Sequence, residues 1–472
     1  MTQREKTARR GAMDRREFLR RTGQGAAVVG TTLAAAEARE PVEPCDPHAP
    51  KTGRLLRADE AIGIGMIGVG GMGMSHLKDF VNREKQGHPV QIRAVSDVFV
   101  RRQKGAQAIV RENLNREIEA YLDYTKLLAR DDIHAVVIAT PDHWHALTSI
   151  HAMEAGKDVY CQKPLTLTIE ESLDVRDTAL KTGRIFQCGA QGSSEDKWWQ
   201  ARKIIKEGGI GKVLWAHASA NRNSRGGPND RGGEWNYLIH PDATNDPAAG
   251  DAYIDWEQWL GPAPKRPFNK ARFFQFRKYW DYSGGIATDL LYHKLAPLTI
   301  ALDAKAPERA TANGGIFVQH DDREVPDTYM STLDYPDDYT VVLTSSMANS
   351  QALPVMICGH RATIRPDGSA LKVTAEKEFE EWFAERYGAT EIVIPPEPRA
   401  EHVTNWLECI RSREKPHLDA ETAYRAMVGI KMGVDAYRQH KVVYWDHEKE
   451  RYADSHPRPE RKSFWPSEPE QA

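Results

Sequence analysis

Apolar residues fall along the first part of the chain in short blocks, each followed by a longer, mixed stretch. Ile62–Ile67 (IGIGMI) is the first block, and Gln91–Ser96, Ala135–Thr140, Asp158–Gln162 and Arg184–Gly189 follow it. Short, β-branched, apolar runs of this kind predict strands buried on both faces. The stretches between them, Ser149–Ala155 and Thr168–Leu180 among them, read as helices. Strand alternating with helix predicts a doubly wound α/β domain with a parallel sheet over residues 61–189. Past Ala190 the pattern loosens. Lys212–Ala220 (KVLWAHASA) and Asp338–Ser346 (DYTVVLTSS) read as strands, the second alternating only in part, within a second domain set at 190–450.

The ends of the chain fall outside this pattern. Asp14-Arg15-Arg16-Glu17-Phe18-Leu19 precedes a weakly apolar stretch from Gly25 to Ala36, and Ala36-Glu37-Ala38 offers small residues to a signal peptidase. Residues 1–38 therefore read as a twin-arginine export signal, which predicts a periplasmic or otherwise exported protein that crosses the membrane already folded. Residues 39–60, rich in proline and charge, read as a linker or arm, and residues 451–472 as a solvated tail.

Composition removes several classes. The 472 residues carry 64 basic and 67 acidic side chains, a net charge of −3, which gives no basic footprint for nucleic acid. No apolar run approaches the ~20 residues of a membrane span, so no membrane partner is expected once the signal is removed. Cys45, Cys161, Cys188, Cys358 and Cys409 are scattered, odd in number and without a CxxC pair, so neither a zinc ribbon nor a disulfide framework is expected. His143 and His145 lack a third ligand nearby, and no metal is expected.

The chemistry begins at the first strand. Gly68-Val69-Gly70-Gly71-Met72-Gly73 follows Ile62–Ile67 and runs into a helix start, which places GxGxxG between strand and helix. In that setting Gly68 makes the tight turn, Gly70 lets a pyrophosphate approach, and Gly73 lets helix and strand pack. The free N–H groups of the helix start face the phosphates, with Met72 in the same loop. Asp97 ends the next strand and would bind the adenosine ribose, which favours NAD over NADP, a preference that Arg101 and Arg102 moderate.

With these motifs the chain resembles the Gfo/Idh/MocA oxidoreductases over nearly all its length after the signal. Thr140-Pro141-Asp142-His143-Trp144-His145 is similar to the family's segment bordering the nicotinamide. Gln162-Lys163-Pro164 stands where the family has Glu-Lys-Pro, and Gly284-Gly285 with Asp289-Leu290-Leu291-Tyr292-His293 resembles its GG…DxxxH. Asp255–Pro262 (DWEQWLGP) is similar to a signature of secreted members, and Glu401–Trp445 to the closing segment. The resemblance implies a C-terminal α/β domain with a large open, mostly antiparallel sheet that mediates assembly, giving a homodimer or homotetramer. It implies tightly bound NAD, with NADP as the lesser option, and a sugar, polyol or glycoside as substrate.

Oxidising an alcohol requires loss of a hydride and of the hydroxyl proton, and a group nearby must accept that proton or hold the alkoxide. On the resemblance, Lys163 sits at the carboxyl edge of the sheet, beside both cofactor and hydroxyl. His293 is the general acid/base, and Asp289, four residues before it and so on one helical face, is orienter or substrate ligand. Thr140, Pro141 and His145 border the nicotinamide, with a purely structural histidine as the competing role for His145. Trp280, Tyr282 and Tyr292 flank the motif as candidates to stack on a pyranose, with core packing as the competing role.

Three departures bear on the substrate. Gln162 replaces the family's glutamate, Leu295-Ala296-Pro297 lacks its acid, and Gln191–Ser194 lacks its arginine. Two rival readings remain: a glycosidase that oxidises, eliminates, hydrates and re-reduces with NAD recycled in place, and a non-catalytic sugar-binding relative. Export away from a soluble NAD pool favours recycling. Intact Lys163, Asp289 and His293 speak against a pure binder.

Overall fold

The computed structural model describes residues 56, 57, 60–224 and 235–457. The residues read as an export signal, nearly all of those read as the arm and most of those read as the tail lie outside them.

Six blocks form the first sheet: β1 (Ile62–Ile67), β2 (Val90–Ser96), β3 (Glu119–Tyr121), β4 (Ala135–Ile138), β5 (Asp158–Gln162) and β6 (Phe186–Gly189). Their order is β3-β2-β1-β4-β5-β6 and every pair is parallel. β1 is central, which is why all six of its residues are buried. The chain winds outward in both directions from β1, and a crevice opens where β1 and β4 part at their carboxyl ends. Helices α1 (Gly71–Lys85), α2 (Val100–Leu114), α3 (Asp142–Glu154) and α4 (Ile169–Thr182) cover the sheet. α4 is fastened by a capping box, Thr168 accepting from the Glu171 N–H while Glu171 accepts from the Thr168 N–H.

Among the described residues the second sheet has eleven strands. Its centre is β7 (Val213–Asn223) paired in parallel with β10 (Tyr339–Ser346), beyond which lie β9 (Thr328–Tyr335) and β8 (Arg309–Gly315), and its other pairings are antiparallel. β9 shows why one face packs. Tyr329, Ser331, Leu333 and Tyr335 are buried while Met330 and Thr332 face out. The inward set lies against α5 (Tyr292–Leu302) and α6 (Ala420–Gln439). α6 is sandwiched between this sheet and α4, and is accordingly buried over most of its surface. Arg451–Ala453, assigned to the tail from sequence, forms an edge strand against Val443–Asp446.

The two halves share one hydrophobic core, in which Ile138, Cys161 and Phe186 are continuous with Leu291, Leu295, Leu333 and Met427. The chain past residue 190 also returns to the first sheet. Helix His402–Ser412 lays Val403, Trp406 and Ile410 on its far face, with Trp406 edge-on to Phe80 and Tyr160. Arg413 then grips the buried Asp158 carboxylate with both Nη groups, at 2.7 and 3.0 Å. A third cluster joins Phe99, after β2, to Trp256, Trp259, Phe273, Phe274 and Tyr282 from the segment 235–282.

Trp406 is fully buried, so Trp406→Ala is expected to cost about 3–5 kcal/mol of stability. Chemical denaturation should show the lowered midpoint, with Trp406→Phe losing much less.

Candidate active site

A cavity of about 680 Å³ opens at the carboxyl ends of β1, β2, β4 and β5. The glycine loop forms its floor. Gly68 has φ +83°, and a Cβ there would stand 2.8 Å from the Ala139 carbonyl. A Cβ on Gly73 would fall 1.9 Å from the Gly68 oxygen, so Gly73 seats α1 against the turn and does not line the cavity. Gly68, Gly70 and Met72 do. No side chain caps the N-terminus of α1, which leaves its first N–H groups for an anion.

Asp97 stands on the cavity wall. Its Oδ2 accepts from Val69 N–H and its Oδ1 from Phe99 N–H, both at 2.9 Å, which fixes the carboxylate and leaves lone pairs for ribose hydroxyls. The two arginines expected beside it part company. Arg101 is drawn outward to Asp242, while Arg102 lines the cavity with its guanidinium 5.0 Å from the centre of the Phe273 ring. Thr140 and Pro141 complete this wall. A tight glycine turn, an open helix start and an oriented acid fit NAD.

The other end of the cavity gathers charge. Lys163, just past β5, donates to the backbone oxygen of Asp289 at 2.8 Å and to its Oδ1 at 2.5 Å. Arg277 Nε donates to the same Oδ1 at 3.0 Å, and Trp235 Nε1 to Oδ2 at 3.2 Å. Burial alone would push Asp289 upward, but Lys163 and Arg277 outweigh it and hold the carboxyl far below the usual range. Asp289 is thus an anchor for two cations, the orienting half of its expected role, and it lines the cavity with a single donor on Oδ2. The regular helical spacing assumed for Asp289 and His293 does not hold, because Ala287–Leu291 is a π-helical turn. Such turns recur at functional sites. This one turns Asp289 onto Lys163 and leaves His293 on the cavity wall, where it makes no hydrogen bond with the described residues. Burial and the nearby Lys163 push His293 down to about 3, so its imidazole is neutral.

Other sequence assignments move. His145 is buried and bridges backbone carbonyls, Nδ1 lying 2.7 Å from Pro164 O and Nε2 2.9 Å from Thr140 O. It does not line the cavity; it ties the turn after β4 to the Lys163-Pro164 step. It stands in the first turn of α3, which starts at Asp142. Tyr292 is fully buried with its hydroxyl donating to Ala423 O at 3.0 Å, because it sits next to His293 and faces the opposite way into the core. Tyr282 is buried against Trp259 and His143, and Trp280 packs beside Tyr437 and Arg438. None of the three reaches the cavity. The aromatic lining comes instead from Trp144, Tyr237, Trp259 and Phe276, and with it come Arg222 and Arg277. Phe273-Phe274-Gln275-Phe276-Arg277 carried a usable signal, an aromatic run ending in a cation just before the Gly-Gly motif.

Comparison with known proteins agrees with this geometry. Residues 62–190 match the Gfo/Idh/MocA profile described as an oxidoreductase family with an NAD-binding Rossmann fold, and residues 202–460 match that family's C-terminal alpha/beta domain. A glycosyl hydrolase family 109 protein of Shewanella baltica is 30% identical over 211 residues, 43% of this chain and 45% of its own length. The alpha-N-acetylgalactosaminidase of Shewanella oneidensis is 29% identical over 218 residues, again 43% and 45%. The match thus spans less than half the length of these curated relatives. The fold is similar to the WlbA dehydrogenase of Bordetella pertussis in complex with NADH and UDP-GlcNAcA (TM-score 0.56, 15% identity, 82% of this chain and 99% of that one). It is also similar to the aldose-aldose oxidoreductase of Caulobacter crescentus (TM-score 0.59, 16% identity, 82% and 100%). With both domains matched and the dinucleotide cradle in place, this chain belongs to the Gfo/Idh/MocA family of NAD-binding oxidoreductases.

Proposed function

We propose that the protein oxidises a hydroxyl-bearing carbon of a sugar, polyol or glycoside. The observation that carries this is His293, a neutral imidazole facing the cavity without a hydrogen bond to the described residues, beside a lysine fixed at the end of the cofactor cleft. NAD, held by the glycine loop, Asp97, Thr140 and Pro141, supplies the hydride acceptor. His293 takes the hydroxyl proton at a ring nitrogen. Lys163 has one N–H left after its two bonds to Asp289, and that donor holds the oxygen as charge develops on it. Asp289 keeps Lys163 and Arg277 in place, and His145 braces the backbone on which Lys163 stands.

The segment 235–282 favours a second reading. It lays Trp259, Phe273 and Phe274 over the cofactor cleft, an enclosure suited to a dinucleotide that stays bound. The curated relatives carry glycosidase names, and net hydrolysis with NAD restored at the end fits both facts. We also infer export in the folded state by the twin-arginine route, and assembly as a homodimer or homotetramer through the open face of the second sheet, where Trp215 and Met330 are exposed.

The deciding experiment releases the cofactor by denaturing purified protein before and after exposure to a panel of sugars and glycosides. Bound NAD that becomes NADH with one of them supports oxidation, and aglycone release with NAD unchanged supports the recycling reading. A protein that neither holds nor takes up NAD would sink both. Lys163→Met and His293→Gln are each expected to lower kcat by about 10²–10⁴-fold with NAD still bound. Because His293 stays unprotonated down to about pH 3, kcat/KM should not fall off with a midpoint near 6.5 as pH is lowered from 8 to 5. A break at the ordinary histidine value would remove His293 as the base.

A further inference from the structure

Arg277 lines the cavity with only one of its donors occupied. Its Nε bonds Asp289 Oδ1, and neither Nη makes a hydrogen bond with the described residues. The Asp289 carboxylate does not depend on it for neutrality, since Lys163 sits on the same oxygen and Trp235 donates to the other. The guanidinium is nonetheless held in one plane, with Nε tied to Asp289 and the Phe276 ring 4.5 Å from its carbon. It lines the cavity, its side chain 26% exposed. A fixed guanidinium with open Nη groups has the shape and charge of a bidentate carboxylate receptor.

The surrounding charge points the same way. At this end of the cavity Lys163 and Arg277 share the Asp289 carboxylate, with Asp142 on the same wall. Asp142 is buried, and burial raises its carboxyl toward the neutral form, though His145, Arg277 and Lys163 oppose this. His293 contributes no charge. Two cations sharing one carboxylate, beside an acid drawn toward the neutral form, favour an anionic ligand over a neutral one.

We propose that Arg277 selects an acidic sugar, receiving through its two Nη groups a carboxylate on the same ring as the carbon presented to Lys163 and His293. This rests on the oxidoreductase reading and adds the substrate class. Lys163 Nζ and Arg277 Nε bond one oxygen, at 2.5 and 3.0 Å, a closeness that suits a carboxylate on the reacting ring better than one on a distant substituent. A single planar fork suits a carboxylate, with two oxygens in one plane, better than a tetrahedral phosphate.

The test is calorimetric titration of the full chain, loaded with NAD, with D-glucuronate and D-galacturonate against D-glucose and D-galactose, and with the 6-phosphates of the two neutral sugars. At least one uronate is expected to bind ~10- to 100-fold more tightly than its neutral counterpart, the scale of a hydrogen-bonded ion pair. Arg277→Gln should bring the two within about threefold, and Arg277→Lys should recover part of the difference by restoring charge without the fork. Equal affinity for acid and neutral sugar in the wild-type protein overturns the proposal whether or not the variants fold. So does an acid preference that survives Arg277→Gln, or a sugar phosphate bound more tightly than either uronate. Absorbance of bound NADH in the same samples separates the two levels. Acid-selective binding without reduction would sink the oxidoreductase reading and leave the carboxylate site standing; reduction by neutral sugars with no acid preference would do the reverse.

Discussion

The site depends on one buried carboxylate. Asp289 receives Lys163 from the first domain and Arg277 and Trp235 from the second, so the same two oxygens align the cofactor half with the substrate half. Charges this far from water persist only when paired, and removing one partner of such a set typically costs 3–5 kcal/mol. What the arrangement secures is position. A lysine that would otherwise sample many rotamers is held by a carboxylate and a backbone oxygen of the same residue, and the ring of His293 is left beside it in the neutral form that a base requires.

The first domain was largely legible from the hydrophobic pattern, because a strand buried on both faces has to be apolar throughout and a strand of this sheet has to be followed by a helix. Gly68, Gly70 and Asp97 were legible for a related reason: a turn with positive φ and a close approach of backbone to phosphate admit few residue types. Lys163 and His293 came with the family resemblance, and the cavity contains both.

What could not be read was direction. Tyr292 and His293 are neighbours in sequence with opposite surroundings, and the π-helical turn that sets which of them meets the cavity leaves no mark in residue spacing. His145 carries the same composition cue as a ligand, yet its two nitrogens are spent on carbonyls. Arg277 and the aromatic lining arrive from a segment whose partner, Phe99, lies far away in the chain, and pairings over that distance are invisible to a local pattern. The return of His402–Ser412 to the first sheet was hidden likewise. Its amphipathic stripe shows that it packs, but not against what.

That return has a consequence for how such proteins diversify. A dinucleotide-binding unit is often pictured as a cassette that evolution can cut at its last strand and join to new partners. Here a cut at residue 189 would strip Trp406 from the faces of Phe80 and Tyr160, and Arg413 from Asp158, leaving an apolar sheet face and a buried acid open to water. The chain is interlaced, first half and last quarter closing over each other. New substrates are more readily reached by rewriting the strip of chain between residues 236 and 276, which overlies the cleft and lies between the two Asp289 anchors, Trp235 and Arg277.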